Sequence, residues 1–265
     1  MPLAKDLPSV DVIFPISEPW MLPYLRNAIE SIQRQRYPSA LTRIYISLYC
    51  RSTDRDFSGL LPMAQECDAV VVSRRWSDAV FNIGKAYNQA ARCGCGDVVA
   101  CFDADVVFHS ETFRYALKHL RSGTSTVVPV VRSNMKPDEM DVFGCSDQEW
   151  KKITDRFSDQ RVGVGNIMVP RHVFRALHGF DERMHGWGSI DEDLYFRAMK
   201  KKSAVYLSDH GCPKAIHQKH RANPTRNTVY SKRNRELMMN STGNMVRNPK
   251  GWGGVVRTGL RMGRD

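Results

Sequence analysis

The sequence lacks any uninterrupted apolar run approaching the ~18 residues of a membrane-spanning helix. Its opening residues, Met1-Pro-Leu-Ala-Lys-Asp-Leu-Pro8, carry no apolar core of the kind a secretory leader has. Both absences lead to the expectation of a soluble, cytoplasmic protein with no transmembrane segment. Cysteines in a framework are also lacking: Cys50, Cys67, Cys93, Cys95, Cys101, Cys145 and Cys212 form an odd, scattered set, which fits reduced thiols better than disulfides. Cys93 and Cys95 with Cys101 lack the second matching pair that a structural zinc site needs. Neither a G-x-G-x-x-G nor a phosphate-cradling P-loop is present, so the dinucleotide and ATP-binding readings lose their support. No internal repeat is visible.

What is present is enough chain for a full core, 265 residues of which 42% are hydrophobic. The charge is uneven. Of the net +11, all but about one unit falls between Pro213 and Asp265, where 12 Lys/Arg stand against 2 Asp/Glu. A nearly neutral body with a basic C-terminal arm points to an anionic partner: nucleic acid, an acidic membrane surface or substrate phosphates.

The organising stretch is Asp97-Val-Val-Ala-Cys-Phe-Asp103-Ala-Asp105-Val-Val-Phe108. Its apolar and β-branched run between turn signals reads as a buried strand. Alternation along that strand sets Asp103 and Asp105 on one side at its carboxyl end, where open α/β sheets bind ligands. Two carboxylates so close repel unless a cation sits with them, so the pair reads as a divalent metal site with a phosphate-bearing substrate as the metal's other partner.

In chain order, Val10–Phe14 reads as a first strand closed by Pro15, and Trp20–Arg36 as a helix with apolar residues at helical spacing. Strands follow at Arg43–Cys50 and Ala69–Ser73, then a helix over Val80–Arg92. Strands alternating with helices predict a doubly wound, mostly parallel α/β sheet with helices on both faces. Beyond Asp105 come a helix over Glu111–Arg121, a strand over Thr124–Val131, a polar, irregular surface segment over Asn134–Asp159, and a glycine-bearing strand over Val162–Val169. Pro170 opens a short helix at its first position. Gly179-Phe-Asp-Glu182 and Gly186-Trp187-Gly188 lead into Asp191-Glu192-Asp193, three acids at the start of a helix that runs to about Lys200. There the helix dipole favours their charged form, and a general base for a hydroxyl would sit well. Ala204–Ser208 reads as a last strand. Ile216-His217-Gln-Lys-His220 opens the basic arm, and a neutral imidazole beside the D-x-D would complete a cation's protein shell.

Together these pieces resemble the GT-A class of nucleotide-sugar glycosyltransferases, in particular the β1,4-galactosyltransferase family and its family-2 relatives. Phe81-Asn82-Ile-Gly-Lys85-Ala-Tyr-Asn88 is similar to that family's F-N-R-A-K-x-x-N, and Asp103-Ala104-Asp105 to its D-V-D. Gly179-Phe-Asp-Glu with Gly186-Trp187-Gly188 matches its G-F-D and G-W-G-G-E-D segments, and His217 its late histidine. The resemblance spans roughly residues 10 to 220. It implies a GT-A catalytic domain over 1–212, with a nucleotide-binding half at about 10–108 and an acceptor half at about 109–212. The basic arm at 213–265 would then contribute a metal ligand and acceptor contacts. The donor, a UDP-sugar, would be bound by Pro15, Ser17, Glu18, Phe81, Ile83, Lys85, Asp103, Ala104, Trp187 and Gly188. Asp103, Asp105 and His217 would hold Mn²⁺ or Mg²⁺. Asp191 would be the catalytic base of an inverting hexosyl or pentosyl transfer, with Glu192 as its rival one residue on. Three positions depart from the family pattern: Ser189-Ile190 replaces its Gly-Glu, and Ile83 its arginine.

For the acceptor, Lys219, Arg221, Arg226, Lys232 and Arg233 interleave with Asn, Thr and Tyr230, a pattern suited to phosphate backbones with some base stacking. With Trp187 they predict a polyanionic acceptor such as a hydroxymethylated base in DNA, a phage-type DNA modification. A bacterial glycan or lipid-linked acceptor at an acidic membrane surface is the rival. Outside glycosyl transfer, Asp103-Ala-Asp105 also resembles the nucleophile motif of haloacid-dehalogenase phosphatases, although that motif normally follows a first strand. A non-catalytic nucleic-acid-binding protein would account for the arm but leave the acids and His217 without a role.

Overall fold

The computed structural model describes residues 7–50, 56–75, 80–121, 125–129, 132–135, 143–156, 165–201, 203–218, 220, 228–241 and 243–254. Lys219, Arg221 and Arg226 lie outside the described residues. Strand β1 (Val10–Ile16) is buried at all seven positions, as a near-continuous apolar run must be when both faces of a parallel sheet are covered. It pairs in parallel with β2 (Thr42–Cys50). Between them lie a short 3₁₀ turn (Pro19–Met21) and α1 (Leu22–Gln33). Next come α2 (Leu60–Glu66), β3 (Ala69–Arg75), α3 (Ile83–Cys93) and β4 (Val98–Cys101), the last lying parallel to β1 on its other side.

The second half continues with β5 (Val106–Val107), α4 (Thr112–Arg121), β6 (Ser125–Pro129), β7 (Arg132–Met135) and α5 (Asp147–Arg156). After these come β8 (Ile167–Pro170), α6 (Arg171–Ala176), α7 (Ile190–Lys201), β9 (Ser203–Ala204), β10 (Ala215–Gln218) and α8 (Thr228–Asn240). The main sheet has the order β3-β2-β1-β4-β8-β6-β9, and a small sheet has the order β5-β10-β7. Strand β8 runs antiparallel to both β4 and β6. Alternation along β1 divides the core: Val10, Val12, Phe14 and Ile16 pack with Leu25, Ile29 and Phe113 on one face. Ile13 joins Tyr87, Phe174 and Leu194 on the other. Asp11 is buried within this strand, paired with Arg171 and accepting the Gly96 amide at 2.7 Å, since a buried charge needs a partner.

Several expectations change. Asn134–Asp159 is not irregular throughout, because α5 occupies 147–156 and buries Trp150, whose Nε1 donates to the Lys214 carbonyl at 2.8 Å. Pro170 ends β8 and caps α6 instead of occupying its first turn. The strand expected at 204–208 is only Ser203–Ala204, followed by a 3₁₀ turn over Leu207–His210. Asp103 and Asp105 do not ride on β4, which stops at Cys101; they lie in the turn between β4 and β5.

The C-terminal segment is not a separate arm over its described residues. β10 sits at the centre of the small sheet, and Met238, Met245 and Trp252 pack into the core beside α3 and α7. Arg247, 3% exposed, bonds Asp193 at 2.6 Å and faces Asp181 at 3.3 Å. Arg197 takes the other oxygen of Asp193 at 2.7 Å, and Arg183 takes Asp181 at 2.6 Å. Basic residues have been drawn into the body because buried carboxylates wait there for them.

Burial pushes the Asp181 carboxyl up, but hydrogen bonds and charge from Arg183, with the charge of Arg247, outweigh it and hold the group below its ordinary value. Its contribution to stability is therefore present above the unfolded value of about 3.9 and is lost as the pH falls through the lower folded value. Asp181→Asn is expected to cost about 3 kcal/mol at neutral pH. In urea denaturation the gap to wild type should close as the pH drops from about 4 towards 2.

Candidate active site

The site begins at the entry to α3. Asn82 caps this helix, its Oδ1 accepting the Lys85 amide at 2.8 Å, while its Nδ2 donates to the Glu182 carbonyl at 2.9 Å. Two turns on, Asn88 accepts the Phe180 amide at 2.8 Å and donates both to the Phe180 carbonyl (3.0 Å) and to Glu182 Oε1 (2.9 Å). Tyr87 stacks on Phe180 with ring centroids 5.0 Å apart, and the Gly186 amide donates to the Phe81 carbonyl at 2.8 Å. The F-N-x-x-K-x-x-N and G-F-D-E segments are thus each other's partners, and they join the two halves of the molecule.

The turn after β4 is fixed from two sides. Asn166, at the foot of β8 and 2% exposed, accepts the Asp103 amide at 2.7 Å and donates to Asp103 Oδ2 at 3.0 Å. The Gln218 amide of β10 donates to the Asp105 carbonyl at 2.8 Å, and His217 pairs with Val106 across the small sheet. This register carries two imidazoles to one carboxylate oxygen: Asp105 Oδ2 lies 2.8 Å from His220 Nε2 and 3.4 Å from His217 Nε2. The three side chains place their ligand atoms within 4.8 Å of one another. Burial raises the Asp105 carboxyl, but hydrogen bonds and charge from His217 and His220 more than reverse this and hold it ionised well below its ordinary range. Its other oxygen, Oδ1, is buried without a hydrogen-bond partner among the described residues. Two imidazoles and a carboxylate with a spare oxygen form a donor set that fits a divalent first-row ion. Trp20 and Tyr24 pack on the His220 ring at centroid distances of 5.1 and 5.7 Å and hold its plane.

The third part is the start of α7, where successive 100° steps send three acids three ways. Asp191 turns toward the cleft. A Cβ placed on Gly165 would lie 3.4 Å from Asp191 Oδ2 and 3.7 Å from Asp103 Oδ2. Glu192 is exposed, and Asp193 is buried in the arginine network. Tyr87 records the convergence: burial first, then the charges of Asp103, Asp191 and Asp105, raise its phenol well above the ordinary value. Asp103 and Asp191 thus share the space over Gly165, and Asp105 lies two residues on from Asp103 in the turn after β4.

Residues 17–178 match the family described as glycosyl transferase family 2. The chain belongs to that family. Residues 148–221, which carry Trp187, Asp191, His217 and His220, also match the N-terminal domain of galactosyltransferase. Among solved structures, S. aureus TarS 1-349 in complex with UDP-GlcNAc is 12% identical, with a TM-score of 0.58 over 87% of this chain and 65% of that one. The mannosyltransferase PcManGT from Pyrobaculum calidifontis, in complex with GDP-Man and Mn²⁺, is 19% identical, with a TM-score of 0.55 over 90% and 64%. Glucosyl-3-phosphoglycerate synthase of M. tuberculosis is 16% identical, with a TM-score of 0.57 over 93% and 84%. The chain spans less than two thirds of the TarS structures' length. No curated protein matches the chain. The fold is the GT-A arrangement shared by these glycosyltransferases, with a mainly parallel sheet covered by helices on both faces. No helix among the described residues is long and apolar enough to cross a membrane.

Within this family-2 scaffold, Pro15 and Ser17 are buried at the end of β1 with Glu18 half-buried beyond them. Phe81 meets Tyr49 edge-on at 5.0 Å, Ile83 is 6% exposed, and Lys85 is half-buried on the first turn of α3. Ala104 is buried inside the turn, Trp187 is half-buried, and Gly188 is exposed. Asp103 does not join the triad; its place is taken by His220, which an H-x-x-H spacing could have signalled. Lys232 and Arg233 lie exposed on the first turns of α8. Asn166 and Gly165 are the other residues that sequence reasoning left without a role, although glycine within a strand is a general signal of close approach by a ligand or another backbone.

If the space over Gly165 is where substrate sits between the two carboxylates, a methyl group there should obstruct it without disturbing the core. Gly165→Ala is expected to keep its melting temperature within a few degrees. Release of nucleoside diphosphate from a sugar nucleotide should slow by about 10- to 100-fold.

Proposed function

We propose that this protein transfers a sugar from a nucleotide-sugar, a UDP-sugar in the first instance, to the hydroxyl of an anionic acceptor, with inversion at the anomeric carbon. One observation carries the reading: Asp103 and Asp191 both reach the space over Gly165, and Asp105, two residues on from Asp103, is met by a pair of imidazoles just past the end of β4. The UDP-GlcNAc and GDP-Man·Mn²⁺ complexes of the TarS and PcManGT structures support a nucleotide-sugar donor and a divalent ion.

Asp105, His217 and His220 would hold the ion, and two nitrogen donors favour Mn²⁺ over Mg²⁺, which prefers oxygen and retains its waters. When bound, the ion neutralises charge on the departing diphosphate. Asp103, steered by Asn166, accepts a hydroxyl of the nucleotide sugar. Asp191 stands in the first turn of α7, where the helix dipole favours its charged form. Its Oδ2 takes the acceptor's proton as that oxygen bonds to the anomeric carbon and the bond to the diphosphate breaks on the opposite face. Glu192 faces solvent and is the poorer base. Pro15, Ser17, Glu18, Phe81, Ile83 and Lys85 border the nucleotide, and Trp187 and Gly188 the sugar and acceptor. The exposed Lys232 and Arg233 suit a polyanionic acceptor, of which DNA bearing a hydroxymethylated base is one candidate. A target base within a duplex would have to be flipped out to reach Asp191.

Asp191→Asn should lower transfer by about 10²- to 10⁴-fold while Glu192→Gln stays near wild type; equal loss in both would move the base. In Mn²⁺ titrations followed by electron paramagnetic resonance, Asp105→Asn and His220→Ala should each weaken binding by about tenfold or more. Retention of hydroxymethylated DNA on a gel should fall steeply with salt. Flotation with acidic vesicles in place of DNA retention would point to a lipid-linked acceptor.

A further inference from the structure

Asn234, in the middle of α8, is fully buried, and its side chain spends all of its bonding on a four-residue loop of another element. Its Nδ2 donates to the carbonyls of His185 (2.8 Å), Gly188 (3.1 Å) and Trp187 (3.4 Å), and its Oδ1 accepts the His185 amide at 3.2 Å. The helix also seats closely on that loop. A Cβ at Gly188, whose φ is +95°, would lie 2.5 Å from Ser231 Oγ, and one at Gly186 would lie 3.3 Å from Tyr230 Cβ. The loop then passes through Ser189, also at positive φ, into α7 and Asp191, with the Asp193 amide donating to the Ser189 carbonyl at 3.0 Å.

A segment with three positive-φ residues in four, two of them glycine, has much conformational freedom to lose and few side chains of its own to hold it. If α8 needed only to be attached, an apolar side chain at 234 would serve, because a buried amide is costly unless every bond is made. Here every bond is made, and each goes to loop backbone. We infer that Asn234 is a positioning residue: by gripping the 185–188 backbone it sets Trp187 and the first turn of α7, and so the acceptor side of the cleft. Its role in the reaction rests on the glycosyl-transfer reading above; its hold on the loop does not.

The test uses the full chain with three substitutions: Asn234→Leu, which keeps helix packing; Asn234→Asp, which keeps shape but turns an anion toward three carbonyls; and Ser231→Val, which presses on Gly188 from the exposed face of α8 should either core variant fail to fold. Mn²⁺ and UDP binding, by calorimetry, should stay within about twofold of wild type, because the donor half is untouched. Trp187 emission, isolated by subtracting the Trp187→Phe spectrum in each background, should move to the red and become more open to acrylamide. Hydrolysis of the best UDP-sugar substrate, with water as acceptor, should fall by about 10- to 100-fold. Unchanged Trp187 emission and quenching in all folded variants would overturn the inference, as would a parallel loss of UDP and Mn²⁺ binding, the mark of a merely structural residue. If wild type turns over no sugar nucleotide, the transfer reading fails, and the Trp187 spectra still decide whether Asn234 holds the loop.

Discussion

The buried amide of Asn88 against the backbone of Phe180 holds the molecule's two halves in register. One side chain on α3 accepts an amide and donates to the carbonyl of the same distant residue, and reaches the Glu182 carboxylate as well. Such a bond is individually worth only about 1 kcal/mol net, but leaving its buried groups unmet would cost more. With Asn82 doing the same at the helix cap, the nucleotide-side helix and the loop that leads to Trp187 and Asp191 cannot slide past each other. The distances in the cleft follow from that constraint.

Around it, charge is placed by burial. The first turn of α7 shows this most plainly. Asp193 is drawn into the core by Arg197 and Arg247, Glu192 faces water, and Asp191 is left at the cleft with the helix N-terminus behind it. Asp105 shows it again, since burial alone would neutralise the carboxylate and two imidazoles prevent that. Of the basic residues near the C-terminus, Arg247 is a structural counter-ion, while Lys232 and Arg233 remain available to solvent.

Much of this was legible in the sequence where a physical period was strong. β1 to β4, α1, α3, α4 and α7 all appear within a few residues of their expected places, because buried parallel strands and amphipathic helices write their burial into the order of residues. Weak periods misled. α5 is polar except for Trp150 and Ile153 and reads as loop, yet Ser146 and Glu149 form a reciprocal cap, with the Ser146 amide bonded to Glu149 Oε2 at 2.8 Å, and an S-x-x-E pattern could have announced it. α2, seven residues with a proline inside, is too short to show a stripe. The C-terminal segment reads as a charged arm because composition records the sign of a side chain and not its partner. For the candidate site, spacing and resemblance pointed to Asp103, Asp105, His217 and Asp191; the structure brings Asp105 and His217 together, and sets Asp103 apart from them, with Asp191, at the space over Gly165. His220 was passed over although its H-x-x-H spacing from His217 could have signalled it, and Asn166 because its place at the foot of β8 is set only by tertiary structure.

Beyond its contacts with α3, the Gly179–Gly188 stretch has partners far downstream in the sequence: Asn234 from α8, Arg247 and Asn248 after it, and the Gly253 amide on Glu182 at 2.6 Å. A chain emerging from a ribosome at about 5–20 residues per second would therefore leave this glycine-rich stretch held on its α3 side alone for several seconds before α8 and the segment after it could close over it. The sheet would be standing by then, with Asp181 and Asp193 paired to Arg183 and Arg197 but still lacking Arg247. Competence arrives last, as a docking step over a long sequence separation, and such steps are the slow ones.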